Sequence, residues 1–187
     1  MDAGENGTAW ETLESREVFG APPWFHVMRE RVRLPDGRVV DDYHRIVLAD
    51  FAIIFAETAD GHVLVERQYK HGPGTTGLSL PAGTVAPGES PLEAARRELL
   101  EETGYVADDW RALGQYAMNG NYGCGWAHIF RARGARKVAA PDSGDLEAME
   151  ILLVPISEVR ARFDAAGTQL LGSVAAVLIA LADAQKG

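Results

Sequence analysis

Glu98, Glu101 and Glu102 crowd one short stretch of this chain, and carboxylates in that number suit a hard divalent cation. Mg²⁺ and Mn²⁺ take oxygen ligands, keep several waters and share such sites with substrate phosphates. The residues around the acids predict a helix. Ser90, Pro91 and Glu93 read as N-cap, first helical residue and capping-box partner, and Gly104 reads as the C-terminal stop. The acids therefore sit near the negative end of the helix dipole, where each is disfavoured by roughly 0.3–1 kcal/mol. Glu98 and Glu102 are also a like-charged i,i+4 pair, at a cost of about 0.2–0.5 kcal/mol. A helical projection places Leu92, Ala95, Leu99 and Thr103 on one core-facing stripe. Glu98 and Glu102 then lie within roughly 40° of each other on one flank, with Glu101 about 60° beyond Glu98. Arg97 is within reach of Glu93 one turn back and Glu101 one turn ahead. For the helix alone a solvated, salt-bridged face is the commoner reading; the loop before it shifts the balance to the cation.

Gly83, Glu89, Arg97, Glu98, Leu99, Glu101, Glu102, Gly104 and Tyr105 fill, in order, the defined positions of the pattern G-x5-E-x7-R-E-U-x-E-E-x-G-U, where U is bulky and apolar. In this the chain resembles the Nudix hydrolases. The resemblance implies a Nudix fold and Mg²⁺- or Mn²⁺-dependent hydrolysis of a nucleoside diphosphate linked to another moiety. It implies Glu98 and Glu102 as metal ligands, Glu101 as ligand or base, and the backbone carbonyl of Ala82 in the metal shell. It leaves Glu89 to orient Arg97 and the loop. Nothing in the chain resembles a Ser-His-Asp set or a cysteine nucleophile, so a covalent route is not expected.

The elements that must position these residues are legible in outline. Residues 12–47 read as three strands, with hairpin punctuation at Pro35-Asp36-Gly37. Then come FAIIFAE, a turn at Ala59-Asp60-Gly61 and HVLVERQY. A loop KHGPGTTG and a short strand SLPAG lead into the motif. Strands around WRALGQYAM, GWAHIFRAR and ILLVP follow, and ISEVRARFDA and LLGSVAAVLIALADA close the chain as helices. This alternation predicts an α/β fold, a mixed β-sheet sandwiched between helices, with an N-terminal antiparallel β region. Residues 1–48 form that N-terminal region, for dimerisation and substrate, and 49–187 the hydrolase domain. Three strands without a helix must pack on another domain or a second chain.

The lead-in Leu80-Pro81-Ala82-Gly83, the Arg67-Gln68-Tyr69 segment and the N-terminal strands resemble the ADP-ribose pyrophosphatase branch of the family. That resemblance implies ADP-ribose or an ADP-sugar as substrate, giving AMP and a sugar phosphate, and a homodimer paired through the N-terminal strands. It implies Arg67, Gln68 and Lys70 at the substrate, although Lys70 stands where the branch usually has Arg, and Lys lacks the bidentate fork. Trp24 is the candidate to stack on adenine, against an ordinary packing role. Glu147, with Asp145 and Glu150 as alternates, is the additional acid that the branch takes from the loop before its last strand. The region MNGNYGCGWAHIF lacks the proline the branch often carries there, and Tyr122 points instead to a dinucleoside polyphosphate hydrolase.

Composition narrows the rest. The 187 residues are 47% hydrophobic, enough for a good core, and carry a net charge of −9. That charge argues against a nucleic-acid binder. The single cysteine, Cys124, excludes an internal disulfide. No segment reads as a signal peptide or a membrane span, so a cytoplasmic protein is expected. A ligand-sensing Nudix domain without catalysis is the reading from a different class; such domains lose box carboxylates, and this chain keeps every one.

Overall fold

The computed structural model describes residues 9–144 and 149–184. Its elements in chain order are β1 Glu11–Ala21, β2 Phe25–Arg33, β3 Val39–Leu48, β4 Phe51–Thr58, β5 His62–Lys70, β6 Thr75–Ser79, β7 Ala82–Thr84, α1 Pro91–Thr103, β8 Tyr105–Val106, β9 Asp109–Asn119, β10 Gly123–Lys137, β11 Met149–Pro155, α2 Val159–Ala165, β12 Thr168–Gln169 and α3 Leu171–Ala184. The chain divides into two compact units, residues 1–49 with 117–126, and residues 50–116 with 127–187.

In the first unit β1, β2 and β3 form an antiparallel meander. The turn at Gly37 takes φ +85°, the left-handed region that glycine enters without steric cost. The segment 117–126 joins these strands, which sequence reading did not anticipate. Ile46 N–H donates to the Tyr122 carbonyl at 2.8 Å, and the Tyr43 hydroxyl donates to the Asn121 carbonyl. Such long-range backbone closure has no local signature.

The second unit is built on β4, whose run Ala52–Ala56 is fully buried. A strand apolar on both faces must be covered on both, and this one is. It runs parallel to β10 and antiparallel to β7, while β5 runs antiparallel to β6 and β11. One face carries Ala52, Ile54, Leu64, Phe130 and Ala132 and packs on Ala94, Ala95 and Leu99 of α1. The other carries Ile53, Phe55, Val63, Val65 and Ile129 and packs on Val159 and Phe163 of α2 and Ala176, Val177 and Ala180 of α3. This is the mixed sheet between helices that the sequence predicts. Two local readings are corrected. The loop KHGPGTTG gives way to β6 at Thr75, because β5 continues far enough to pair Lys70 with it. The helix expected from Ile156 starts at Val159, because the Glu158 N–H closes a turn on the Pro155 carbonyl.

Candidate active site

α1 is held at both ends by the residues that predicted it. Glu93 N–H donates to Ser90 Oγ at 3.3 Å, and Ser90 N–H donates to Glu93 Oε2 at 2.8 Å. A cap of this kind contributes about 1 kcal/mol. Gly104 ends the helix at φ +75°, with its N–H on the Leu100 carbonyl at 2.8 Å. Leu99, fully buried, anchors the helix to the sheet and contributes about 2 kcal/mol.

The last turn has no basic residue. Backbone amides take that place. Asp142 N–H donates to the Glu101 carbonyl at 2.7 Å, and Val138 and Ala139 N–H donate to the Gly104 carbonyl at 2.9 and 3.1 Å. The negative end of the dipole, where the acids sit, is thereby satisfied by N–H groups rather than by a side-chain cation.

Arg97 organises the acids. Its Nε donates to Glu89 Oε1 at 2.9 Å and its Nη2 to Glu89 Oε2 at 3.0 Å, a bidentate fork. Nη1 donates to Glu98 Oε1 at 2.7 Å and to Glu101 Oε2 at 3.0 Å, and Nη2 reaches the Thr84 carbonyl at 2.9 Å. The expected contact with Glu93 is absent from this set because Glu93 is committed to the cap. Glu98 lies against Gly83, where an added Cβ would fall 1.9 Å from its Cδ. Glu102 is buried at 7% exposure, and its Oε2 accepts from Ala82 N–H at 2.8 Å. Glu101 is the most exposed of the three. Glu98 and Glu102 thus flank β7, on Gly83 and Ala82 respectively. The donor chemistry, carboxylates beside a strand carbonyl, suits a hard divalent cation. Among the described residues, however, no three His, Cys, Asp or Glu side chains are gathered tightly enough to hold one as they stand. Arg97 occupies the oxygens of Glu98 and Glu101 instead.

The Arg97 fork, with the Ala86 N–H second, pulls the Glu89 carboxyl down from 4.5 to about 2. The same acids hold the Arg97 guanidinium above its ordinary value. A carboxyl depressed in the folded state adds stability that is complete above pH 4.5. That stability is lost as pH falls toward 2, because the unfolded chain takes up the proton first. Arg97→Gln is expected to cost about 1–3 kcal/mol at neutral pH, discounted for its partial exposure, and to flatten the stability change between pH 4.5 and 2. Thermal melts across that window test it; parallel curves for variant and wild type would rule the fork out as the cause.

The remaining candidates fall in different places. Alternation along β5 puts Leu64, Glu66 and Gln68 on the α1 face and Val63, Val65 and Arg67 on the other. Gln68 is buried, its Nε2 donating to Glu66 Oε2 at 3.2 Å and Ser79 Oγ at 3.0 Å. Arg67 faces away from α1 and pairs with Glu150, its register partner on β11, at 3.0 Å. Lys70 lines a small cavity with Gln68, Ser79 and Leu170. Trp24 follows β1 in the first unit and is 74% exposed. Glu147 and Asp145 lie outside the described residues. Sequence reading missed Glu66, a fully buried acid; the alternation of β5 was the signal that placed it indoors. It also missed the pairing of His128 Nε2 with Asp50 Oδ2 at 3.1 Å; Asp50 also holds the start of the motif loop, through its carbonyl on Val85 N–H.

Comparison with known proteins adds the following. Residues 47–171 match the model of the NUDIX domain, and residues 10–46 match that of the nucleoside diphosphate sugar hydrolase N-terminal domain. The ADP-sugar pyrophosphatase of Mus musculus is 32% identical over 57% of this chain and 51% of its own length. The ADP-ribose pyrophosphatase of Bacillus subtilis is 28% identical over 65% of each chain. ADP compounds hydrolase NudE of Escherichia coli is 37% identical over 38% of each. The matched regions thus span less than two thirds of these relatives. A crystal structure of an ADP compounds hydrolase superposes with a TM-score of 0.80 over 97% of both chains at 21% identity, a likeness of fold.

Proposed function

The chain belongs to the Nudix family, and from that premise we propose that it hydrolyses the diphosphate bond of a nucleoside diphosphate linked to another moiety. We take ADP-ribose or an ADP-sugar as substrate and AMP with a sugar phosphate as products. The observation that carries this reading is the match of residues 10–46 to a nucleoside diphosphate sugar hydrolase domain, joined to a loop and α1 that together keep every motif acid. The names of the pyrophosphatase relatives support the same substrate class.

Nudix hydrolases generally use divalent metal ions; here Mg²⁺, or Mn²⁺, held by Glu98, Glu101, Glu102 and the Ala82 carbonyl, would neutralise the diphosphate and acidify a bound water. The chain's own residues do the rest. Glu102, fixed by Ala82 N–H, sets one edge of the site, and Gly83 leaves room for Glu98 beside it. Arg97, through Glu89 and the Thr84 carbonyl, holds the loop that shapes the site. Glu101, the most exposed acid, accepts the proton of the attacking water, with Glu147 as the other base. We assign Lys70 to the phosphates, with Gln68 on the same face of β5, and Trp24 to adenine; Arg67, held by Glu150 on the opposite face, is set apart from this site.

We assign residues 1–48 to substrate and dimerisation and 49–187 to hydrolysis, in a cytoplasmic homodimer paired through the N-terminal strands. Phe19, Val39, Val47 and Leu48 are exposed on those strands, and Trp24 beside them. No helix among the described residues is long and apolar enough to cross a membrane.

The test is an assay of purified protein with Mg²⁺ or Mn²⁺ against ADP-ribose, ADP-sugars and dinucleoside polyphosphates, with products separated by chromatography. AMP and ribose 5-phosphate are expected from ADP-ribose. Clean hydrolysis of a dinucleoside polyphosphate, with none of any ADP-sugar, would replace this reading by the one around Tyr122. Light scattering on the same sample should give a dimer at micromolar concentration. A fully active monomer would refute the pairing and return Trp24 to ordinary packing.

A further inference from the structure

The register of the first unit stacks positive charge. Arg16 of β1 lies directly opposite Arg29 of β2. Like charges so placed are about 4.5–5.5 Å apart at Cβ and disfavour the sheet. In the neighbouring row Arg31 Nε donates to Asp41 Oδ1 at 2.7 Å. Arg29 Nε reaches only the Asp41 carbonyl, at 3.1 Å, which carries no formal charge. The Arg16 side chain makes no hydrogen bond or ion pair among the described residues. Two facing guanidiniums are thus left without a carboxylate in a chain of net charge −9.

Arg16, Arg29, Arg31, Asp41 and Glu14 line an open depression of about 370 Å³, a size that falls within the range of small-molecule sites. We propose that this depression, on the exposed face of the β1–β3 sheet, is a second ligand site and that it takes a sugar phosphate. The Arg16 and Arg29 forks match phosphate oxygens in a bidentate way that lysines cannot. Glu14, at the rim, offers a carboxylate to sugar hydroxyls. Among the described residues no aromatic ring lines the depression, so a nucleobase finds no surface to stack on there. This separates a sugar phosphate from a nucleotide. The site does not depend on the hydrolysis assigned to α1.

The test is calorimetry in the presence of a chelator, with ribose 5-phosphate, ribose, inorganic phosphate and AMP as probes. Wild type is expected to bind ribose 5-phosphate through this site more tightly than AMP, and free ribose not at all. Arg16→Gln removes no side-chain bond that holds the fold and relieves the like-charge pair with Arg29, so its melting temperature should hold or rise slightly. Its affinity for ribose 5-phosphate should fall about tenfold or more. Glu14→Gln should weaken ribose 5-phosphate and leave inorganic phosphate alone. Unchanged ribose 5-phosphate binding in Arg16→Gln would overturn the proposal. So would AMP binding more tightly than ribose 5-phosphate in a manner that needs Arg16.

Discussion

Glu98→Gln and Glu102→Gln are each expected to lower turnover by about a thousandfold while the protein stays folded. The amide of Gln is nearly the size of the carboxylate but binds a divalent cation poorly. At position 102 the amide oxygen can still accept from Ala82 N–H. At position 98 one ion pair with Arg97 is lost, yet Arg97 keeps Glu89, Glu101 and the Thr84 carbonyl. From sequence alone, removing these charges should stabilise the metal-free protein. In the structure Arg97 and the amides of residues 138–142 already offset the repulsion, so the gain should be under about 1 kcal/mol. Steady-state kinetics beside thermal melts decide the matter. Near-normal turnover in both variants would remove the acid cluster from the chemistry.

Gly83→Ala should produce a comparable loss by a different route. The new methyl would overlap the Glu98 carboxyl, with Cδ 1.9 Å away and both oxygens within 2.3 Å. The obstacle is the end of a flexible side chain, so Glu98 can swing aside and the fold need not move. Stability should change by about 1 kcal/mol or less, and turnover should fall about a hundredfold or more because the displaced acid no longer meets β7. Raising the metal concentration should not restore it. A Gly83→Ala variant with full activity would mean that the placement of Glu98 on β7 is dispensable.

Both expectations use a helix whose limits were readable from Ser90, Pro91, Glu93 and Gly104, because caps act through neighbouring backbone and side chains. The layers were readable for the same kind of reason: β4 is apolar on both faces and had to be covered twice. What escaped was non-local. Helical spacing offered Arg97 only Glu93 and Glu101, of which the structure keeps Glu101; the fork to Glu89, eight positions back in the preceding loop, was implied by the family resemblance and not by spacing. Arg67 and Gln68 looked equivalent as neighbours, yet a strand sends adjacent side chains to opposite faces. Only one of them shares a face with α1. The attachment of 117–126 to the N-terminal strands rests on one backbone pair and one Tyr43 hydroxyl, joined across a sequence separation that no local pattern marks.

The grip of Arg97 on Glu89, Glu98 and Glu101 also bears on how this protein lives with a fluctuating supply of cations. One guanidinium offsets part of the charge of the three acids within the polypeptide, so folding need not wait for metal, unlike small domains that collapse only around their ion. An incoming cation would share Glu98 and Glu101 with a guanidinium that already takes one oxygen of each. Occupancy then follows the free concentration of divalent ions around the protein. Chelation would leave an idle but intact molecule, ready to resume when the ions return.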